Sequence, residues 1–237
     1  MRHLAHWLVA GLIVTQLSGF ARAEQLVPVP PVAAFTDMLP SPPKPGSDQD
    51  KAELVVLMDI QAHRSAADIA HAQSDAATRN IFLFATLFGK GFNPKELPAT
   101  AALSGVVETA EKSDIEPVKF IYARLRPFAV DKDLHPVCPV KKIDDSYPSG
   151  HTMTGYLAAL TLAAILPEKK DAILARADDF AHSRLVCGVH HPSDLAAGKL
   201  LAYALFPILE QDPRFQAARD AAQVELRKAL KLQAAAK

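Results

Sequence analysis

From Asp50 onward apolar residues recur at the three-to-four interval of a helix rather than the alternating interval of a half-buried strand, with few glycines among them. This spacing predicts helices over about 50–75, 78–89, 98–112, 115–125, 150–166, 169–185, 193–210 and 213–233. Leu54, Met58, Ile69 and Ala72 mark the inward face of the first, and Met153, Leu157, Leu160 and Ala164 that of the fifth. The expected fold is all-α, one compact helical bundle over residues 50–237. Neither long apolar stretch suits a membrane, since the one from Met153 stops at Pro167-Glu168 and the one from Leu195 carries Lys199 and Pro207. No fixed-period repeat is present, and the alanine-rich tail after Leu232 is expected to fray.

The amino-terminal end has a different texture. Met1-Arg2-His3 is a short positive start, Leu8 to Phe20 is apolar but too short to span a bilayer, and Ala21-Arg22-Ala23 is a small-x-small site. Residues 1–23 therefore read as a signal peptide cleaved before Glu24, and the expected location is periplasmic or secreted. Gln16 and Ser18 interrupt the run and argue against a retained anchor. In residues 24–49, Pro28, Pro30, Pro31, Pro40, Pro42, Pro43 and Pro45 predict an extended, non-helical lead.

Charge narrows the possible partners. The whole chain is formally neutral, and cleavage removes Arg2 and Arg22 but no acid. The slightly acidic remainder has no general surface for nucleic acid, so any anion binding must come from local charge. Cys138 and Cys187 make an even count in an exported chain and predict a disulfide, the alternative being two buried thiols. A bridge closing about fifty residues would constrain the unfolded state by roughly 4 kcal/mol.

Three clusters carry the candidate chemistry. Lys119 and Arg126, seven apart, are expected on one helix face, with Pro127 ending the helix and Arg124 as a solvated neighbour. A guanidinium fork and a compact ammonium both suit phosphate oxygens. Pro148-Ser149-Gly150-His151 before an apolar run reads as a helix start: free backbone N–H groups, a hydroxyl at Ser149, close access at Gly150 and an ionisable proton on His151. A serine cap followed by a surface histidine is the plainer reading of the same tetrapeptide. In the third cluster, Ser183-Arg184 closes one helix, His190 precedes the next, and Asp194 falls in its first turn, within reach of the Nδ1–H of His190. That is the pattern of an oriented histidine nucleophile. No metal site is expected, since His190 and His191 should diverge and no third ligand accompanies His63 and His71. His135 and His182 receive no role.

Together these clusters resemble the signature of the type 2 phosphatidic acid phosphatase superfamily: Lys119, six residues, Arg126-Pro127; Pro148-Ser149-Gly150-His151; then Ser183-Arg184, five residues, His190, three residues, Asp194. Ser146-Tyr147, Thr152, the proline-rich lead and Cys187-Gly188 are similar to its exported branch, the bacterial class A non-specific acid phosphatases. Asp145, where that class usually has glycine, and His191-Pro192 depart from the pattern and are expected at a pocket rim that sets substrate preference.

The resemblance implies the helical bundle shared by these phosphatases and the vanadium-dependent haloperoxidases. It implies hydrolysis of small phosphate monoesters without metal or cofactor, through a phosphohistidine on His190, with Asp194 orienting it and His151 exchanging the proton. Lys119, Arg126, Ser149, Gly150 and Arg184 would hold the phosphoryl oxygens. Phosphate transfer to alcohols and a homo-oligomer are compatible with it. The rivals are a vanadium haloperoxidase-like oxidoreductase, usually a much larger chain; a lipid phosphate phosphatase, usually with spanning helices; and a phosphate-binding module, which has no use for His190, Asp194 and His151.

Overall fold

The computed structural model of the chain describes residues 32–232, and every regular element among them is helical. In order these are α1 (Val32–Met38), α2 (Asp48–His63), α3 (Ala66–Ala77), a 3-10 turn (Ile81–Phe84) running into α4 (Ala85–Phe88), α5 (Pro98–Tyr122), α6 (Pro127–Val130), α7 (Gly150–Ile165), a second 3-10 turn (Pro167–Lys169), α8 (Lys170–Val186), α9 (Pro192–Leu209) and α10 (Pro213–Ala229). The expected signal peptide, the lead up to Pro31 and the tail from 233 lie outside the described residues. Among those described, no helix is long and apolar enough to cross a membrane.

α7 is the central element. It packs against α5, α8, α9 and α10, and it is buried nearly all round rather than along one stripe. The expected Leu160–Ala164 side is its least buried one, while Met153, Leu157 and Leu162 are fully enclosed. Gly198 of α9 lets the two helices touch, because a Cβ there would fall 2.4 Å from the carbonyl oxygen of Ser149. That contact seats the start of α9, with Asp194, directly against the start of α7: Ser149 N–H donates to the Asp194 carbonyl at 2.9 Å.

Several expected boundaries move, each for a local reason. The proline-rich lead is not wholly extended, since α1 lies between Pro31 and Pro40 in a stretch free of proline, anchored by buried Phe35 and Leu39. The single helix expected over 50–75 is two. Arg64 is extended, and Ser65 restarts the chain with a capping box in which its hydroxyl accepts from Asp68 N–H and the Asp68 carboxylate accepts from Ser65 N–H. His63 and His71 therefore sit on different helices. Conversely, the helices expected over 98–112 and 115–125 are one, α5, which runs through Pro117 because Ile115 and Val118 on either side are fully buried. On α2 the buried face is Asp50, Glu53 and Leu57 in place of the expected Leu54 and Met58. Two buried acids on one helix face require a buried cation.

Cys138 and Cys187 form a disulfide with Cα atoms 5.2 Å apart. Val137 N–H donates to the Cys187 carbonyl at 3.0 Å, so the loop after α6 is fastened to the end of α8.

Candidate active site

A cavity of about 390 Å3 opens between the start of α7, the carboxy-terminal parts of α5 and α8, and the loop at 139–145. Lys119, Arg126, Gly150, His151, Arg184 and His190 all line it, so the three sequence clusters converge on one place.

They do not arrive as the helix-face reading expects. α5 ends at Tyr122, and Ala123 adopts a left-handed conformation (φ 43°) that turns the chain out of the helix. Arg126 then reaches the cavity from an extended segment held by Arg126 N–H donating to the Ile143 carbonyl (2.7 Å) and Ser146 N–H donating to the Arg124 carbonyl (3.0 Å). Lys119 and Arg126 still meet, now on Asp145. Lys119 Nζ donates to its backbone carbonyl, and Arg126 Nη2 lies 2.8 Å from its carboxylate.

Arg184 is the poorly compensated cation of the wall. Arg184 is 2% exposed, its Nε has no hydrogen-bond partner among the described residues, and Nη1 reaches only the Cys187 sulfur at 3.5 Å. Burial, with Arg126 nearby, lowers its pKa to about 10. Burial likewise lowers Lys119 to about 8, opposed by Asp145 and helped by Arg126. Cations held below their usual pKa are stabilised by an incoming anion, so the electrostatics of the cavity favour an anionic ligand.

His190, 2% exposed, is held at both ring nitrogens. Nδ1 donates to Asp194 Oδ2 at 3.3 Å, while Nε2 lies 3.3 Å from Arg126 Nη1 on the cavity side. Burial first, and the charges of Arg126 and Lys119, push its pKa well below the ordinary imidazole value despite the Asp194 hydrogen bond. The ring is neutral with Nε2 unprotonated. Burial opposes the charge of Asp194, but hydrogen bonds from His190 and His191 outweigh it and hold the carboxyl well below the usual range.

His151 lines the cavity from the first turn of α7, with Nε2–H directed at the Ala76 carbonyl at 3.4 Å. Burial, then Arg184, Arg79 and His190, push its pKa well down. Ser149 stands apart from the other site residues: it is fully buried, does not line the cavity, and accepts from Thr152 N–H as the cap of α7. Asp145 is on the cavity wall, but His191 is fully buried away from it, and its Nδ1 shares Asp194 Oδ2 with His190. The two adjacent histidines converge on one oxygen instead of diverging.

Two cations by the site differ from the sequence expectation, which puts Arg124 in solvent and gives Arg79 no role. Arg124 is not solvated but buried, donating to Asp194 Oδ1 (2.7 Å), Ser193 Oγ (2.7 Å), Glu53 (2.9 Å) and Asp50 (3.3 Å). It is the cation required by the acidic face of α2. Arg79, just after α3, lines the cavity and pairs with Glu111 of α5. A Cβ at Gly150 would sit 2.6 Å from its guanidinium, so that glycine is what lets a fourth cation lie over the start of α7.

The clustered metal-ligand atoms among the described residues lie elsewhere. His71, Asp75 and Asp179 gather theirs within 4.8 Å of one another. Arg176 Nη1 already occupies both carboxylates, at 3.1 and 2.7 Å.

Known proteins are similar to this chain in sequence. The model of the PAP2 superfamily matches residues 96–215. A non-specific acid phosphatase of Providencia stuartii is 32% identical over 191 residues, covering 76% of this chain and 75% of its own length. An acid phosphatase of Zymomonas mobilis is 37% identical over 151 residues (62% and 56%), and a non-specific acid phosphatase of Salmonella typhimurium 33% over 156 residues (60% and 59%). The family match takes in just over half of the chain and every residue of the three clusters, and the chain belongs to the PAP2 superfamily.

Proposed function

We propose that this chain is an acid phosphatase that hydrolyses phosphate monoesters through a phosphohistidine on His190 and draws its positive charge from side chains rather than a metal. The observation that carries the proposal is the neutral His190, its Nδ1 on Asp194 and its Nε2 in a cavity walled by Arg79, Lys119, Arg126 and Arg184. Relatives named acid phosphatases support it.

In the first step the Nε2 lone pair forms a bond to phosphorus as the ester P–O bond breaks, and His151 passes to the leaving oxygen the proton that the substrate monoanion carries in. The four cations and the N–H groups at the start of α7 hold the remaining phosphoryl oxygens, where charge concentrates in the transition state. In the second step His151 takes a proton from water, which attacks phosphorus and frees His190. An alcohol in place of that water gives phosphotransfer. Arg124 touches neither phosphate nor water in this scheme. It is a positioning residue, fixing the far oxygen of Asp194.

A wall carrying Arg79, Lys119, Arg126 and Arg184 favours small, highly charged soluble monoesters, and the leader-like residues 1–23 favour a periplasmic or secreted location. The test is hydrolysis of nitrophenyl, sugar, nucleotide and lipid phosphates by the purified chain in the presence of a chelator. Turnover of the soluble monoesters, undiminished by chelation, is expected. Abolition by the chelator, or halide oxidation with vanadate and peroxide exceeding hydrolysis, would overturn the reading.

A further inference from the structure

A second cavity, of about 590 Å3, shares no wall residue with the first. Pro42 and Pro43 of the lead face it together with Tyr122, Leu125 and Val130, and His191 completes the wall. Its volume is ordinary for a small-molecule site. Leu125 and Val130 are each 45% exposed, so apolar side chains are kept in solvent beside it.

His191 gives this cavity its chemistry. The residue is 0% exposed, and its Nδ1 lies 3.3 Å from Asp194 Oδ2. A carboxylate only accepts, so Nδ1 carries the proton and Nε2 is a bare acceptor. That Nε2, across the ring from Asp194, is buried and has no hydrogen-bond partner among the described residues. A buried acceptor left unpaired is costly, and a donor brought to it recovers that cost. The other ionic groups there are already committed, since Arg124 pairs with Asp50, Glu53 and Asp194. Among the described residues of the wall, His191 Nε2 is thus the buried acceptor without a partner, beside apolar surface and with no unpaired ion beyond the exposed Lys44.

We infer that this cavity binds a neutral aromatic alcohol, its ring against Pro42, Pro43 and Tyr122 and its hydroxyl donating to His191 Nε2. The ligand would sit one residue from the catalytic carboxylate, because His191 and His190 share the same oxygen of Asp194.

The test is a fluorescence titration of the full chain with 1-naphthol, without substrate, so that its failure is separate from any failure of the phosphatase reading. Saturable one-to-one binding is expected, about tenfold weaker for 1-methoxynaphthalene, which lacks the donor. Inorganic phosphate should leave it unchanged. Val130→Trp, at a half-exposed position outside the catalytic cavity, should fill the mouth and weaken binding at least about tenfold by steric exclusion while hydrolysis persists. Equal affinity for the two naphthalenes, displacement by phosphate, or unchanged binding in a folded Val130→Trp chain would each overturn the inference. The first two arms use the unaltered protein and stand even if the variant fails to fold.

Discussion

Arg124 Nη1 lies 2.7 Å from Asp194 Oδ1, while the other oxygen of the same carboxylate receives His190 Nδ1 at 3.3 Å. One side of Asp194 is thus fixed by a cation and the other orients His190, the proposed nucleophile. The guanidinium is itself held from behind by Glu53 and Asp50 of α2. A helix remote in sequence therefore sets the aim of His190.

Removing that cation should be expensive. Arg124→Ala leaves three buried carboxylates without their partner and is expected to lower unfolding free energy by about 3–5 kcal/mol in denaturant titration. Arg124→Lys keeps a charge but lacks the fork that spans Asp194, Glu53 and Asp50. It should lower kcat roughly tenfold to a hundredfold with little change in KM, since Arg124 does not line the catalytic cavity. A KM effect without a kcat effect would count against a positioning role.

This relationship also marks the limit of what the sequence discloses. The site motifs are legible because a tight Pro148-Ser149-Gly150-His151 turn and the His190-to-Asp194 spacing are local, and local geometry survives translation into sequence. Arg124 is not, because its role depends on a left-handed residue at Ala123 and on acids more than seventy positions away. Hydrophobic periodicity points α2 toward Leu54 and Met58, while the buried ion cluster turns Asp50 and Glu53 inward. The break at Arg64 had a readable signal in Ser65-Ala66-Ala67-Asp68, a capping-box pattern. Arg79 had none: its only mark is the absence of a Cβ at Gly150.

His151 should reveal itself through leaving groups. Alkyl phosphates need a proton on the departing oxygen, and His151→Ala is expected to slow them about 10²–10⁴-fold. Nitrophenyl phosphate, whose leaving group is stable as an anion, should lose no more than about tenfold. Equal losses for both substrates would remove His151 from the acid role.

The pH profile follows from the directions of the shifts. With its pKa pushed well below the ordinary value, His190 stays neutral and nucleophilic into the acid range. His151 is pushed down too, so the proton for the leaving group enters with the substrate monoanion, whose second ionisation lies near pH 6. kcat/KM should therefore be highest on the acid side of neutrality and fall as the substrate loses that proton. A further fall is expected as Lys119 loses its charge near its pKa of about 8. A rate still rising at pH 9 would contradict this assignment of protons.

The central claim is the covalent intermediate. Rapid acid-free quenching of the chain during turnover of radiolabelled nitrophenyl phosphate, followed by peptide mapping, reads it directly. The account predicts acid-labile, base-stable label on the peptide containing His190, and neither label nor turnover in His190→Ala. Label on any other residue, or turnover persisting in His190→Ala, would contradict it.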